Sequence, residues 1–328
     1  MTTLSLHHAS RTHAATDERL RLSHRHHHHG WWWKTLLAGL ALWVAATVVT
    51  ALTANTNLVP TVILLGSFLV PFCVVLFVVE RVQGNISTMQ LILAFFVGGI
   101  FGVLGASLLE ANLGQSLAVF FLVGLIEEFV KGVILVIIGW RVAPKTAAQG
   151  ALLGATVGAG FAAFESAGYA FNAAITTQGI NLVSLIQTEV LRALLAPVGH
   201  VLWTALLGAV IFGATSLGKH HRWSWWIPVT YVAVALLHGL WDSMSTIASA
   251  LAILFTGNAV VYVEDGVISA STANTVELLS NVFYVAGLAV IAAIGIIVLW
   301  RVLRHYFHKE WVLGPDVASQ PLPETATT

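Results

Sequence analysis

The sequence predicts an all-α polytopic membrane protein with about eight transmembrane helices and with both termini on the cytoplasmic side. Its composition excludes a soluble fold, because 57% of the 328 residues are hydrophobic and 9% are charged, against about 25% charged residues in soluble domains. The mean hydropathy of +0.84 agrees with this. The chain has one cysteine, Cys73, which excludes an intrachain disulfide and therefore a disulfide-rich secreted protein.

Eight apolar stretches are each long enough to cross a bilayer as a helix, which takes about 20 residues. They cover 35–53, 59–79, 88–109, 117–140, 147–171, 193–216, 225–249 and 278–300. The chain therefore divides into a His- and Arg-rich cytoplasmic tail at 1–34, a transmembrane domain at 35–305 and a second cytoplasmic tail at 306–328. Both tails are polar, and we expect them to be disordered.

The basic residues predict the orientation of the chain. Every Lys and Arg except Lys131 and Arg192 lies in a tail or in a loop that follows an even-numbered stretch. Because cytoplasmic loops are enriched in Lys and Arg, these segments are predicted to be cytoplasmic. The loops at 172–192 and 250–277 are then extracytoplasmic. Residues 259–263 and 267–268 predict a small hairpin. We favour a lid or a plain connector as its role over an edge that pairs with an extended peptide.

Ionisable residues at membrane depth occur in four consecutive stretches. Each costs about 2.5–3.5 kcal/mol on insertion scales, so these residues must face one another or a cavity. They are Glu127, Glu128 and Lys131 in the fourth stretch, Glu165 in the fifth, His200 in the sixth, and His238 and Asp242 in the seventh. At 1.5 Å per helical residue, all of them lie in the outer half of the bilayer or at its midplane. The sequence therefore predicts one site that opens to the extracytoplasmic side.

The spacing of these residues suggests how they interact. Glu127 and Glu128 share a helix face with Lys131, so one carboxylate can be neutralised while the other stays free. His238 and Asp242 are one turn apart, so Asp242 can hold a proton of His238. Histidines and carboxylates from separate helices, with a base beside them, are what a metal-activated water requires.

Two other function classes are compatible with the same residues. A proton- or cation-coupled transporter also uses intramembrane Glu, Lys and His, but such transporters usually contain repeated halves and broken helices, and we find neither in the sequence. An inactive scaffold of the same fold could bind membrane segments without cleaving them. We find no pattern typical of nucleic-acid binding.

At these residues the sequence resembles the PrsW family of intramembrane proteases, within the superfamily that includes the type II CAAX prenyl proteases. The family's Glu-Glu-x-x-Lys motif occurs at Glu127–Lys131, its Phe-Glu-x-x-x-Tyr motif at Phe164–Tyr169, and its His-x-x-x-Asp motif at His238–Asp242. Arg192, Pro197 and His200 match the family's Arg…Pro…His stretch. The motifs occur in order and the resemblance covers about 60–280.

The resemblance implies an intramembrane metalloprotease of the bacterial plasma membrane that cleaves a single-span, membrane-tethered protein, such as an anti-sigma factor, near the outer face. The implied catalytic residues are Glu127, Glu128, Lys131, Glu165, His200, His238 and Asp242. Glu127 and Glu128 would supply the base. A divalent metal, with zinc as the expectation, would be held by Glu165, His200 and His238, with Glu128 as an alternative ligand. Arg192 would bind the polar end of the substrate. From its position one turn after Glu165, we expect Tyr169 to hydrogen-bond a carboxylate rather than to act as a catalytic acid.

Overall fold

The computed structural model of the protein describes residues 30–82, 85–114, 116–215, 217–218, 220–257 and 270–318. The helices in these residues are α1 (Trp31–Thr53), α2 (Val59–Val79), α3 (Thr88–Glu110), α4 (Leu117–Ile138), α5 (Ala147–Ala174), α6 (Leu182–Leu195), α7 (His200–Gly213), α8 (Trp226–Phe255) and α9 (Ala270–Ala318). The predicted hairpin at 259–268 and most of the predicted N-terminal tail lie outside the described residues.

The helices confirm the polytopic all-α class. Within the described residues, seven helical segments are long and apolar enough to cross a membrane. Helix α4 has the length, but it contains Glu127, Glu128 and Lys131 and is not among the seven. The eight spans predicted from the sequence depend on α4, and that number stays a prediction, as does the cytoplasmic location of the termini.

The prediction of a loop at 172–192 is wrong for most of this range. Helix α5 continues to Ala174 and is followed by a two-stranded hairpin in which Ile175 pairs with Ile180. Helix α6 then begins at Leu182, where the Asn181 side chain accepts a hydrogen bond from Ser184 N. Helices α6 and α7 together form one apolar segment, Leu182–Gly213, so the sixth stretch begins earlier than the predicted residue 193.

The α6–α7 segment is a broken helix, which the sequence analysis did not predict. A short 3-10 turn, Ala196–Val198, separates the two helices. Pro197 lies in this turn, and because proline has no backbone N–H it cannot continue the α-helical hydrogen bonding. The break places His200 at the first turn of α7.

The last two spanning helices extend beyond their predicted ends. Helix α8 continues past residue 249 to Phe255, and α9 continues past residue 305 to Ala318. Helix α9 therefore includes residues 306–318 of the predicted tail, and the division of the chain into domains stays a prediction. Tyr306 is buried against Ala147 and Val210, and Glu310 Oε1 accepts a hydrogen bond from Ala147 N at 2.7 Å. These contacts hold the polar end of α9 to the bundle.

Helix α5 is the centre of the bundle, and its glycines allow the neighbouring helices to approach closely. A Cβ atom at Gly150, Gly154 or Gly158 would overlap a backbone carbonyl of α7, from Gly208, Thr204 and His200 in that order. On another face, a Cβ at Gly160 would overlap the Phe95 carbonyl of α3. Small residues permit such close backbone contact in membrane proteins, and here the contact fixes the position of His200 relative to α5.

Candidate active site

Lys131 lies at the centre of the ionisable cluster on α4. Its Nζ atom is 2.6 Å from Glu128 Oε1 and 3.3 Å from Glu127 Oε2. It is also 3.0 Å from His200 Nδ1, and it lies over the Phe161 ring. Lys131 and Glu128 are fully buried. Lys131 thus pairs with both glutamates, which differs from the expectation that one carboxylate would stay free of it.

His238 connects α8 to the glutamates of α4. Its Nδ1 atom is 3.1 Å from Glu128 Oε1. Its Nε2 atom is 3.3 Å from Asp242 Oδ2 and 3.6 Å from Glu127 Oε2. The expected contact between His238 and Asp242 is therefore present. Thr204 Oγ1 on α7, one turn after His200, donates to Glu128 Oε2 at 3.5 Å, so Glu128 is held from α4, α7 and α8.

Glu165 on α5 pairs with His200 and Arg192. His200 Nε2 is 3.0 Å from Glu165 Oε2, and the Arg192 guanidinium forms a salt bridge with the same oxygen. Arg192 Nε also donates to Ser166 Oγ at 2.8 Å. These contacts direct Arg192 into the cluster, and the expectation that it receives the polar end of a substrate stays a prediction.

Tyr169 packs its ring against the Arg192 guanidinium, whose carbon is 4.2 Å from the ring centroid. Among the described residues its hydroxyl has no carboxylate partner, contrary to the expectation. The side chain is 52% exposed and lines the cavity described next.

A cavity of about 470 Å³ reaches the cluster from the end of the bundle where α3 and α5 terminate. Its walls include Glu110, Phe120, Glu127, Glu165, Tyr169 and Asp242. Sequence analysis missed Glu110, because this residue is the last of α3 and was assigned to a loop. Glu127 contributes to the cavity wall, whereas Glu128 does not. We call this space the catalytic cavity.

The residues that could hold a metal differ in part from the predicted set. Glu127, His200 and His238 each offer a ligand atom, and these atoms lie within 4.8 Å of one another. Two imidazoles and one carboxylate are a donor set that zinc accepts, so the chemistry of these residues fits a divalent metal. Glu165 was predicted in place of Glu127, but Glu165 contacts His200 and Arg192 and is not part of this group of close ligand atoms. The alternative ligand Glu128 is engaged by Lys131 and His238.

One known protein family matches this chain. The model of the PrsW family intramembrane metalloproteases matches residues 86–268, which is more than half of the chain. The chain belongs to the PrsW family. No significant match was found among curated proteins or among solved structures.

Membership of the PrsW family makes the chain an intramembrane peptide hydrolase and an integral, multi-pass membrane protein. The matched region contains every predicted site residue from Glu127 to Asp242. Family membership favours the protease over the transporter, although the broken α6–α7 segment removes one argument used against a transporter. Helices α1, α2 and α9 lie outside the matched region.

Proposed function

We propose that this PrsW-family protease cleaves a single-span protein of the bacterial plasma membrane, of the anti-sigma-factor type, near the extracytoplasmic face. One observation carries the proposal: the ionisable residues of α4, α5, α7 and α8 meet beside a cavity large enough for a stretch of peptide. Glu127 is eleventh in α4, so its backbone is about 15 Å from the start of that helix. Cleavage would therefore occur below the membrane surface.

Glu127 is the residue that we assign as the base. Its Oε2 atom faces Lys131, His200 and His238. No hydrogen-bond partner of Oε1 is found among the described residues, and the side chain lines the catalytic cavity. Oε1 can therefore accept a proton from a water in the cavity as that water attacks a peptide carbonyl, and can return the proton to the leaving amine.

The other residues of the cluster hold the base and the histidines in place. Lys131 donates to Glu127 and Glu128 and so fixes both carboxylates. Asp242 and Glu128 bind the two ring nitrogens of His238. Arg192 holds Glu165, which in turn holds His200. Such fixed positions lower the cost of reorganising the site during the reaction.

A divalent metal, with zinc as the proposed ion, would be held by Glu127, His200 and His238. Each histidine would then give up one of its present ring-nitrogen contacts, with Asp242 for His238 and with Lys131 for His200, to the ion. When bound, it would polarise the substrate carbonyl and make a water more acidic. Glu127 would then contribute Oε2 to the metal set and keep Oε1 for proton transfer.

The proposed function is tested by reconstituting the full chain in lipid vesicles with tagged single-span reporter proteins. We expect cleavage within the outer part of the reporter's membrane segment, mapped by mass spectrometry, and loss of cleavage after treatment with a chelator that is reversed by zinc. Cleavage only in water-exposed loops would contradict the proposed location. Full cleavage by protein shown to be metal-free would contradict the metal.

A further inference from the structure

A further buried carboxylate, Glu189, lies on α6, outside the catalytic cavity. Glu189 is 2% exposed, and its Oε2 atom accepts a hydrogen bond from Trp43 Nε1 at 2.8 Å. Its Oε1 atom is buried and has no hydrogen-bond partner among the described residues. Glu189 also forms no salt bridge with any of the described residues. Because a buried polar atom without a partner is unfavourable, such atoms in native proteins call for an explanation.

Glu189 borders a cavity of about 330 Å³ between α1, α2 and α6, which we call the Glu189 cavity. Except for Glu189 and the Trp43 indole, its lining is apolar and includes Leu36, Leu40, Leu69 and Leu194. It shares no lining residue with the catalytic cavity. A Cβ atom at Gly66 would overlap the Glu189 carboxyl group, so the glycine leaves room for this group.

The rim of the Glu189 cavity is open on the outer surface of the bundle. Leu40 and Leu194 are 45% and 72% exposed, and both belong to helices apolar enough to span the membrane. An occupant of the cavity would therefore come from within the bilayer. It must be apolar apart from one group that donates a hydrogen bond to Glu189 Oε1.

The depth of Glu189 decides between a lipid and a helix as the occupant. Glu189 is seven residues from the start of α6, and its partner Trp43 is ten residues from the end of α1. These counts place the carboxyl group about 10–15 Å below that face of the bundle. Lipid head groups lie outside the hydrocarbon core, whereas a transmembrane helix can carry a donor side chain at any depth.

We propose that the Glu189 cavity binds a transmembrane helix of a partner protein. One side chain of that helix, a serine, threonine, asparagine or lysine about seven to ten residues from the face where α6 begins, donates a hydrogen bond to Glu189. The cavity is too small for a whole helix, so the partner lies across Leu40 and Leu194 and inserts side chains between α1 and α6. Binding here does not require peptide hydrolysis.

Disulfide cross-linking in vesicles tests this docking site. The native Cys73 is replaced by serine, and Leu40→Cys marks the rim, with Leu278→Cys on the exposed face of α9 as the control. The probes are synthetic Leu/Ala helices that contain one cysteine and either a serine about nine residues from the relevant end or a leucine there. A third peptide carries the serine about three residues from that end.

We expect the peptide with serine about nine residues from its end to cross-link to Leu40→Cys about three- to thirtyfold more than the peptide with leucine there. This range follows from the strength of interhelical hydrogen bonds in membranes. The shallow serine and the Leu278→Cys control should show no preference. Glu189→Leu should remove the preference and Glu189→Gln should keep it, because the amide oxygen still accepts. Equal cross-linking of all three peptides to Leu40→Cys would overturn the proposal, and this comparison needs no substitution at Glu189. A co-purifying lipid that is lost in Glu189→Leu, with no peptide preference, would also overturn it.

Discussion

The contacts of Lys131 explain how the cluster is held together. A buried ammonium bound to two carboxylates and a histidine cannot be removed without leaving charge uncompensated in the bundle. The same contact network determines where the Glu127 and Glu128 side chains point. Folding and chemistry are therefore coupled at Lys131, and a substitution there affects both.

Replacing Lys131 by methionine, which is close in length, should destabilise the protein strongly. Breaking a buried ion pair by removing one partner costs about 3–5 kcal/mol. We expect a large drop in the thermal unfolding temperature of Lys131→Met in detergent. The matched control is Lys34→Met, because Lys34 lies at the start of α1 outside the cluster. Equal unfolding temperatures for the two variants would contradict the role given to Lys131.

Arg192 should act on the reaction through Glu165 and His200. Arg192→Lys keeps the charge but loses the guanidinium geometry that contacts both Glu165 and Ser166. We expect this variant to cleave a reporter about tenfold more slowly, and Arg192→Ala more slowly still, with the reporter affinity nearly unchanged, since about 1.4 kcal/mol of lost positioning is a factor of ten in rate. A change confined to affinity would instead indicate that Arg192 binds substrate.

At the scale of the element, the packing of α5 on α7 determines where His200 lies. Gly158→Ala adds a Cβ that would overlap the His200 carbonyl, and overpacking of this kind costs about 1–3 kcal/mol. We expect lower stability and lower cleavage activity. Gly114→Ala is the matched control, because the Cβ there meets no atom within 4 Å and Gly114 does not line the catalytic cavity. If both variants behaved alike, close α5–α7 contact would not be what positions the site.

The turn between α7 and α8 should make stability depend on pH. Burial, and then the nearby Lys145 charge, lower the pKa of His221, whose ring packs on Trp140 and Phe212. Below the unfolded-state pKa of about 6.5 the unfolded chain binds more protons than the folded chain, so the free energy of unfolding decreases as pH falls. His221→Phe keeps the ring contacts and removes the titration.

We therefore compare the unfolding temperature of His221→Phe with that of the unmodified protein at two pH values. We expect His221→Phe to gain on the unmodified protein as the pH falls from about 7.5 to about 5.5. Thermal unfolding at both pH values measures this difference. The same difference at both pH values would show that His221 does not titrate in this range.

At the scale of the whole molecule, the sequence predicts the helices and the main cluster because both depend on short-range information. Apolar length identifies the spans, and three- and four-residue spacing pairs Lys131 with its glutamates and His238 with Asp242. The confinement of costly residues to neighbouring spans correctly indicates that they meet. These predictions need no knowledge of which helix packs on which.

What the sequence did not predict depends on contacts between distant helices. Arg192 contacts Glu165, which is 27 positions away in the sequence, and Glu189 contacts Trp43, which is 146 positions away. The choice of Glu127 over Glu165 beside the two histidines follows from the same packing. The sequence analysis ended the last helix too early, because it placed Tyr306 and Glu310 in a polar tail. Their contacts with α5 and α7 cannot be predicted from the sequence alone.

The rate of reporter cleavage by Glu127→Gln, in vesicles and compared with Glu277→Gln, tests the central claim most directly. Glu277 is an exposed acid on α9, so its substitution should leave the rate unchanged. Loss of the base should lower the rate by at least about a hundredfold, with both variants unfolding at the temperature of the unmodified protein to within a few degrees. Cleavage by a folded Glu127→Gln at the unmodified rate would contradict the account.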